Sequence, residues 1–447
     1  MGFDQARVNR IFRPETYAEG VPYGLFRELR AQAPVCWVEE PAVGEWPAGP
    51  GYWAVLRHPD VKHVLRSPED FSSHLGATQI RDPDTPADLA FARTMMLNQD
   101  PPDHSRLRRA VAAAFTPRAL HELTAAIERR AAELVAAVRP LGEADFVPVA
   151  ADLPVRTLAR ILGVPDQDRQ LLVDWSNRVI GYQDPDHARS STADPARLTD
   201  LGRAALARRP GALTTVDGRP LNPRSRAALS DMFGYAHALA EQPPPGSMVA
   251  RMLEAGLNTG EFETMFFLFA VAGNETLRNG LPGALYSLLQ HPDQYRELCR
   301  RPELIGSAVE ELLRFWPPVL EFRRTAARDV VLAGQRIRAG DKVVVYHASA
   351  NRDEAVFPAP DRLDLARSPN DHVSFGFGPH FCVGARLARI QLTALLRRIV
   401  TELPGLELAP GPPPQRLVSN FQNGLKDLRV RWRRRGGPEA GAAGPRP

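Results

Sequence analysis

The chain of 447 residues is 44% hydrophobic and 24% charged, too apolar for a disordered protein and rich enough for a full-sized buried core. Lys and Arg outnumber Asp and Glu by 56 to 52, a formal charge of +4; so small an excess argues against a duplex-DNA binder. The longest strongly apolar run, Met265 to Gly273, falls well short of the ~18 residues of a membrane span. The N-terminal MGFDQARVNR lacks the apolar core of a signal peptide, and Ala6 stands where a myristoylation signal wants Ser or Thr. Cys36, Cys299 and Cys382 are too far apart for a disulfide framework or a Cys-rich zinc site. A soluble, cytoplasmic, monomeric protein without a membrane anchor is expected.

In chain order, Val35–Trp37 and Trp53–Val55 predict a hairpin. Thr116-Pro117 reads as an N-cap with proline in the first turn, and Leu120, Leu123, Ile127, Leu134 and Val138 continue the helix to Gly142. Further helices are predicted over Leu153–Leu162, Asp166–Ile180, Ala228–Glu241, Glu261–Leu289, Pro302–Trp316 and Arg386–Leu403. Pro317-Pro318 stops the one before it. Val330–Leu332 and Lys342–Tyr346 predict a second hairpin around Gly334 and Gly340. Asn423-Gly424 predicts a third, between Leu417–Phe421 and Leu425–Trp432. The chain is mainly α with small β-sheets. Two stretches fall outside the pattern. Residues 184–227 are rich in Pro, Ser, Thr, Arg and Gly and long for a connection. Residues 433–447 read as a disordered tail.

One cysteine lies in a glycine-studded loop, Phe375-Gly-Phe-Gly-Pro-His-Phe-Cys-Val-Gly384, directly ahead of a predicted helix. Glycines permit close backbone approach to a flat ligand, and a helix N-terminus favours a thiolate. A lone thiolate suits a single axial bond to haem iron. A small buried hydrophobe, or a cysteine nucleophile paired with His380, are the alternatives. The spacing FxxGxxxCxG resembles the haem-binding loop of the cytochrome P-450 family. Other segments carry the same resemblance. Glu311-Leu-Leu-Arg314 matches the family's ExxR pair, at a spacing that lets carboxylate and guanidinium meet on a helix. In Asn351-Arg-Asp353 and Phe357-Pro-Ala-Pro-Asp-Arg362, Arg362 best matches the arginine that completes that network. Ala272-Gly-Asn-Glu-Thr276 in the long helix matches the oxygen-activating signature, although Leu277 stands where many bacterial relatives have a second Thr.

The resemblance implies a single domain over residues 1–432 with the cytochrome P-450 fold. That fold is a triangular prism with haem b between the long oxygen-binding helix and the cysteine-loop helix, and residues 184–227 would form an extended lid loop. Cys382 is then the metal ligand. His104, Arg108, Arg324 and His380 bind haem propionates, a coherent donor count for two carboxylates. Phe375, Gly384, Ala272 and Gly273 complete the cofactor site. Thr276 is the oxygen-activating hydroxyl and Glu275 the proton-relay acid. Leu268, Val271, Ala272, Leu320, Phe322, Phe421 and Gln422 face the substrate. The implied activity is a haem-thiolate monooxygenase that inserts one atom of O₂ into a C–H bond of a lipophilic small molecule such as a steroid, terpenoid or branched lipid. A tailoring oxidase of secondary metabolism is the alternative, and a haem-binding protein without oxygenase activity is the reading from another class. Electrons come from NAD(P)H through a ferredoxin or flavodoxin and its reductase, steered by Arg386, Arg389, Arg397 and Arg398.

Overall fold

The computed structural model describes residues 4–43, 47–83, 85–184, 186, 191, 193–211 and 222–434. The expectation of a disordered tail beyond residue 434 and the centre of the proposed lid, 212–221, lie outside the described residues.

Helix Thr259–Leu289 is the axis of the molecule. Asn258 and Glu261 close a capping box at its start, and almost every side chain along it is buried. A helix apolar all round must be covered on every side. Helices Phe146–Leu162 and Arg169–Ile180 pack along one flank, and Ile305–Phe315 along another. Their side chains form the largest hydrophobic cluster, which also takes in Pro117–Val138 and Ala385–Glu402. No described helix is long and apolar enough to cross a membrane.

A mixed five-stranded sheet stands beside this bundle in the spatial order Val35–Val38, Tyr52–Val55, Lys342–Tyr346, Glu321–Ala326, Phe71–Ser72. The first hairpin has the expected pairing, Val35 against Val55. The second is corrected. Val330–Leu332 pairs with Gln335–Ile337, whereas Lys342–Tyr346 lies parallel to Tyr52–Val55 and antiparallel to Glu321–Ala326. The turn at Gly334 is tighter than sequence spacing indicates, and Lys342–Tyr346, apolar from Val343 to Val345, is a central strand buried on both faces. At the C-terminus, the bridge Arg416–Leu425 flanks Asn423-Gly424, but Arg429–Arg431 pairs with Glu143–Asp145 and Glu407–Leu408 rather than with Leu417–Phe421.

The segment read as an irregular loop contains a helix, Asp200–Ala207, capped by the Thr199 side chain. Leu198 and Ala205 enter the main core, and Thr199 donates to the buried carboxylate of Asp168 through both its amide and its hydroxyl. Tyr235 donates to the same carboxylate, so this part of the insertion is tied to Arg169–Ile180 and Ser230–Glu241.

Candidate active site

Loop geometry places Cys382 at a cavity, to which its surface is exposed. Gly376 and Gly378 adopt φ of +70° and +71°, a region where side chains are strained. A Cβ at Gly378 would also lie 2.6 Å from the Leu65 carbonyl. The turn folds back so that the Cys382 amide donates to the Phe375 carbonyl at 2.9 Å. Helix Ala385–Glu402 starts immediately behind it. Burial raises the Cys382 pKa, while the backbone N–H groups of Gly384 and Ala385 and the charges of Arg108 and Arg389 lower it. Cys36 is pushed up to about 12 by burial alone, with no such compensation. Of the three cysteines, only Cys382 lines the central cavity.

That cavity spans about 1570 Å³, counting the space at its opening to solvent, and is mostly apolar. Cys382, Phe375 and Gly384 line it, as do Ala272, Gly273 and Thr276 of the long helix. Ala272 and Gly273 expose their surface to the open space. Thr276 Oγ1 donates to the Ala272 carbonyl at 2.9 Å, which keeps the hydroxyl on the cavity side of the helix.

The cavity's polar edge collects His104, Arg108, Arg324 and His380. Arg324 is 4% exposed and donates to the Arg323 carbonyl, but forms no ion pair among the described residues. Burial lowers its pKa to about 10. Asp100, which acts on Arg324 through its charge, is engaged by the Ser72 hydroxyl and the Ser73 amide. The His104 and His380 rings lie 4.1 Å apart. Burial and the nearby arginines lower both pKa values, that of His104 to about 4, and His104 Nδ1 has no hydrogen-bond partner among the described residues. Buried cations and neutral imidazoles without a protein carboxylate fit a ligand that brings its own carboxylates.

A second chamber of about 1030 Å³ adjoins the first, the two sharing Leu97, Leu268, Ala272, Thr276, Val319 and Phe322. Val271, Phe421 and Gln422 line it, together with Val179 and Ile180 from helix Arg169–Ile180. Leu320 does not. It is 1% exposed and packs with Phe12, Tyr52 and Tyr346 in a separate core cluster. The alternation that sends Phe322 and Arg324 to the cavity begins only at Glu321, and before it Val319 takes the cavity position by bridging to Gln422. Asn222 and Arg224, at the end of the insertion, also reach the second chamber.

Glu275 lines this chamber with no exposed surface. Its carboxylate accepts from Arg278 and Ser176 Oγ at 2.8 Å each and from Asn279 Nδ2 at 3.1 Å. Ser176 belongs to the covering helix Arg169–Ile180, so this acid links the long helix to the chamber's roof.

Glu311 and Arg314 pair as the spacing requires, but the assignment of Arg362 is corrected. Arg367 Nε donates to both Glu311 oxygens, at 3.0 and 3.2 Å, while Arg362 contributes only its carbonyl, to Arg314 and Arg367. Ala359 adopts φ of +46° and turns the backbone of this stretch, not its side chains, toward the pair. On the cysteine helix, Arg389 is held by both oxygens of Glu310 and Arg398 pairs with Glu402; Arg386 and Arg397 are exposed and form no ion pair among the described residues.

Two features escaped the sequence reading. Ser176 is an ordinary helical serine until the fold sets it against Glu275. His347 lines the cavity, and its one signal, a polar residue continuing the alternation Val343, Val345, requires the pairing of Lys342–Tyr346 to be known.

Comparison with known proteins finds similar sequences and folds. The cytochrome P450 family model matches residues 302–415. Steroid C26-monooxygenase of Rhodococcus jostii is 35% identical over 433 residues, covering 94% of this chain and 84% of that protein. Linalool 8-monooxygenase of Pseudomonas putida is 36% identical, covering 93% and 97%. Among solved structures, a Mycobacterium marinum cytochrome P450 in complex with pseudoionone superposes with a TM-score of 0.77 at 34% identity, covering 93% of this chain and 96% of that one. A Bacillus megaterium protein in complex with testosterone superposes at 0.75 and 30% identity, covering 92% and 97%.

Proposed function

The chain belongs to the cytochrome P450 family and is a haem-thiolate monooxygenase; on that premise we propose that it oxidises a C–H bond of a terpenoid or steroid held in the second chamber, with Cys382 as the haem ligand. One observation carries this reading: the thiol of Cys382 and the Ala272, Gly273 and Thr276 segment line one cavity, which shares Thr276 and Phe322 with a predominantly apolar chamber.

The residues present fit haem. A single thiol supported by two backbone N–H groups would suit a thiolate ligand to haem iron. The unpaired Arg324, with Arg108, His104 and His380, suits the two propionates. Haem supplies the reduction of dioxygen and transfer of one oxygen atom to the substrate. The protein's own part is positioning, exclusion of water and proton delivery. Thr276 Oγ1, at the cavity wall, would hold a proton for the oxygen chemistry that haem supplies when bound. Glu275 gathers one from the Ser176 side and rotates out of its contacts to pass it on, a positioned general-acid role. Phe322, Phe421 and Leu268 orient the substrate and keep the chamber dry.

The substrate class is supported by the relatives' names, one a steroid and one an acyclic terpene alcohol, and by the predominantly apolar lining. A separate ferredoxin or flavodoxin with its reductase supplies electrons, docking where Arg386 and Arg397 are exposed. The lid role of residues 184–227 is supported by Asn222 and Arg224 in the chamber wall, with Asp200–Ala207 as its anchored part.

Titrating the ferric holoenzyme with linalool, pseudoionone, testosterone and a cholestane ketone tests the substrate class. Displacement of water from iron, followed by a product heavier by one oxygen atom in a reconstituted redox chain, is the expected result. No spectral response from any of the four, alongside one from a polyketide or peptide, would overturn it.

A further inference from the structure

His347 follows directly on strand Lys342–Tyr346, and its side chain forms part of the cavity wall. Strand register explains why. Val343 pairs with Arg324 and Val345 with Phe322, so alternation carries position 347 to the face that presents Phe322 and Arg324 to the cavity. The His347 and Phe322 rings meet edge to face, with centroids 5.9 Å apart.

The imidazole is 1% exposed, and among the described residues neither ring nitrogen has a hydrogen-bond partner. The Val319 carbonyl is close enough to favour the protonated ring but forms no well-aligned hydrogen bond. Burial, followed by the charge of Arg324, lowers the pKa to about 4, so the ring is neutral at pH 7 and carries one N–H donor. Two unpaired polar atoms in a core position are costly, and a phenylalanine would fill the space without that cost. A polar group entering the cavity removes it. Beside His347 stands Arg324, a buried guanidinium that forms no ion pair among the described residues.

Resting on the haem reading above, we propose that His347 is a further anchor for the carboxylate edge of the haem, its N–H donating to the propionate that Arg324 neutralises. His347 is thus a fifth donor beside His104, Arg108, Arg324 and His380. Neutrality suits this role, because the ring adds a hydrogen bond without adding a charge next to Arg324.

The test compares holoenzymes of the wild type, His347→Gln and His347→Phe by the rate of haem transfer to excess apomyoglobin and by the propionate-bending band in resonance Raman spectra. Loss of a hydrogen bond to a charged group predicts that His347→Phe releases haem about tenfold faster, with a shifted propionate band. His347→Gln, which keeps an N–H donor, retains a near-wild-type rate, with the band displaced because an amide replaces the imidazole. Wild-type release and an unmoved band in His347→Phe would overturn the proposal. So would equal acceleration in both variants, which marks a packing effect. Should His347→Phe fail to accumulate, the His347→Gln band decides, and an unmoved band contradicts the proposal. A wild-type protein lacking the thiolate-haem spectrum would sink the haem reading itself; a wild type with that spectrum and indifferent variants sinks this inference alone.

Discussion

Glu311 Oε2 and Arg314 Nε lie 2.7 Å apart across one helical turn, and neither side chain has any exposed surface. Burying two charges costs more than their attraction returns unless the remaining donors and acceptors are also met. Here they are. Arg314 Nη1 donates to the Asn351 and Pro360 carbonyls, while Glu311 accepts from Arg367, Asn370 and the Asp364 amide. The pair therefore fastens the chain between residues 351 and 370 to the helix ahead of the cysteine loop.

Breaking that clasp is expected to unfold the cysteine side of the molecule. Arg314→Leu strands a buried carboxylate and should cost about 3–5 kcal/mol. Arg367→Ala leaves Glu311 with its main partner and should cost about 1–3 kcal/mol. Urea midpoints and haem content per polypeptide check the order, and equal losses in the two variants would contradict it.

Thr276→Ala is expected to bind haem and substrate normally while product formation falls about 10²-fold, the lower end of what positioned proton transfer contributes. NAD(P)H consumption continues and hydrogen peroxide accumulates, because protons no longer reach the correct oxygen. Thr276→Ser should recover much of the yield. Product and peroxide per NAD(P)H are the quantities to measure, and unchanged coupling in Thr276→Ala would remove the hydroxyl from the mechanism.

Glu321 gives a pH dependence unrelated to the cofactor. Burial raises its pKa to about 8 against the opposing charges of Arg224 and Arg323, and one of its oxygens has no partner among the described residues. Between its ordinary value near 4.5 and about 8, the folded protein holds a proton that the unfolded chain has released. Stability from this group is therefore fully present below about 4.5 and is lost as pH rises through about 8, with a slope near 1.4 kcal/mol per pH unit within the window. Glu321→Gln should flatten the fall. Urea midpoints at pH 6 and 8.5 for both proteins test it, and parallel curves would contradict it.

Position 320 separates packing from recognition. Leu320→Ala should cost about 2–5 kcal/mol of stability, as for other buried leucines, without changing the affinity of the ferric spectral response. Phe421→Ala, in the chamber wall beside Phe322, should weaken that response with a smaller loss of stability. A spectral change in Leu320→Ala would return that residue to the site.

Which features were legible follows from where their determinants lie. The cysteine loop, the ExxR pair and the Ala272–Thr276 segment are contiguous, so local spacing encodes their geometry. Arg367 and His347 are not local. The first depends on a backbone turn at Ala359, the second on the partner of strand Lys342–Tyr346, and neither leaves a pattern in neighbouring residues. The family resemblance alone places Leu320 at the substrate, and no local pattern shows that position 320 precedes strand Glu321–Ala326 and turns into a separate core cluster. Helix Asp200–Ala207 was hidden by polar and charged flanks, since its stability comes from Thr199 and Asp168 rather than from a long apolar stripe.

The central claim is that Cys382 ligates haem iron, and the spectrum of the reduced, CO-treated holoenzyme tests it most directly. The account predicts the red-shifted Soret band of a thiolate opposite CO in the wild type, Cys36→Ser and Cys299→Ser proteins, and its loss in Cys382→Ser. A band that survives Cys382→Ser, or that disappears with Cys36→Ser or Cys299→Ser, would contradict it.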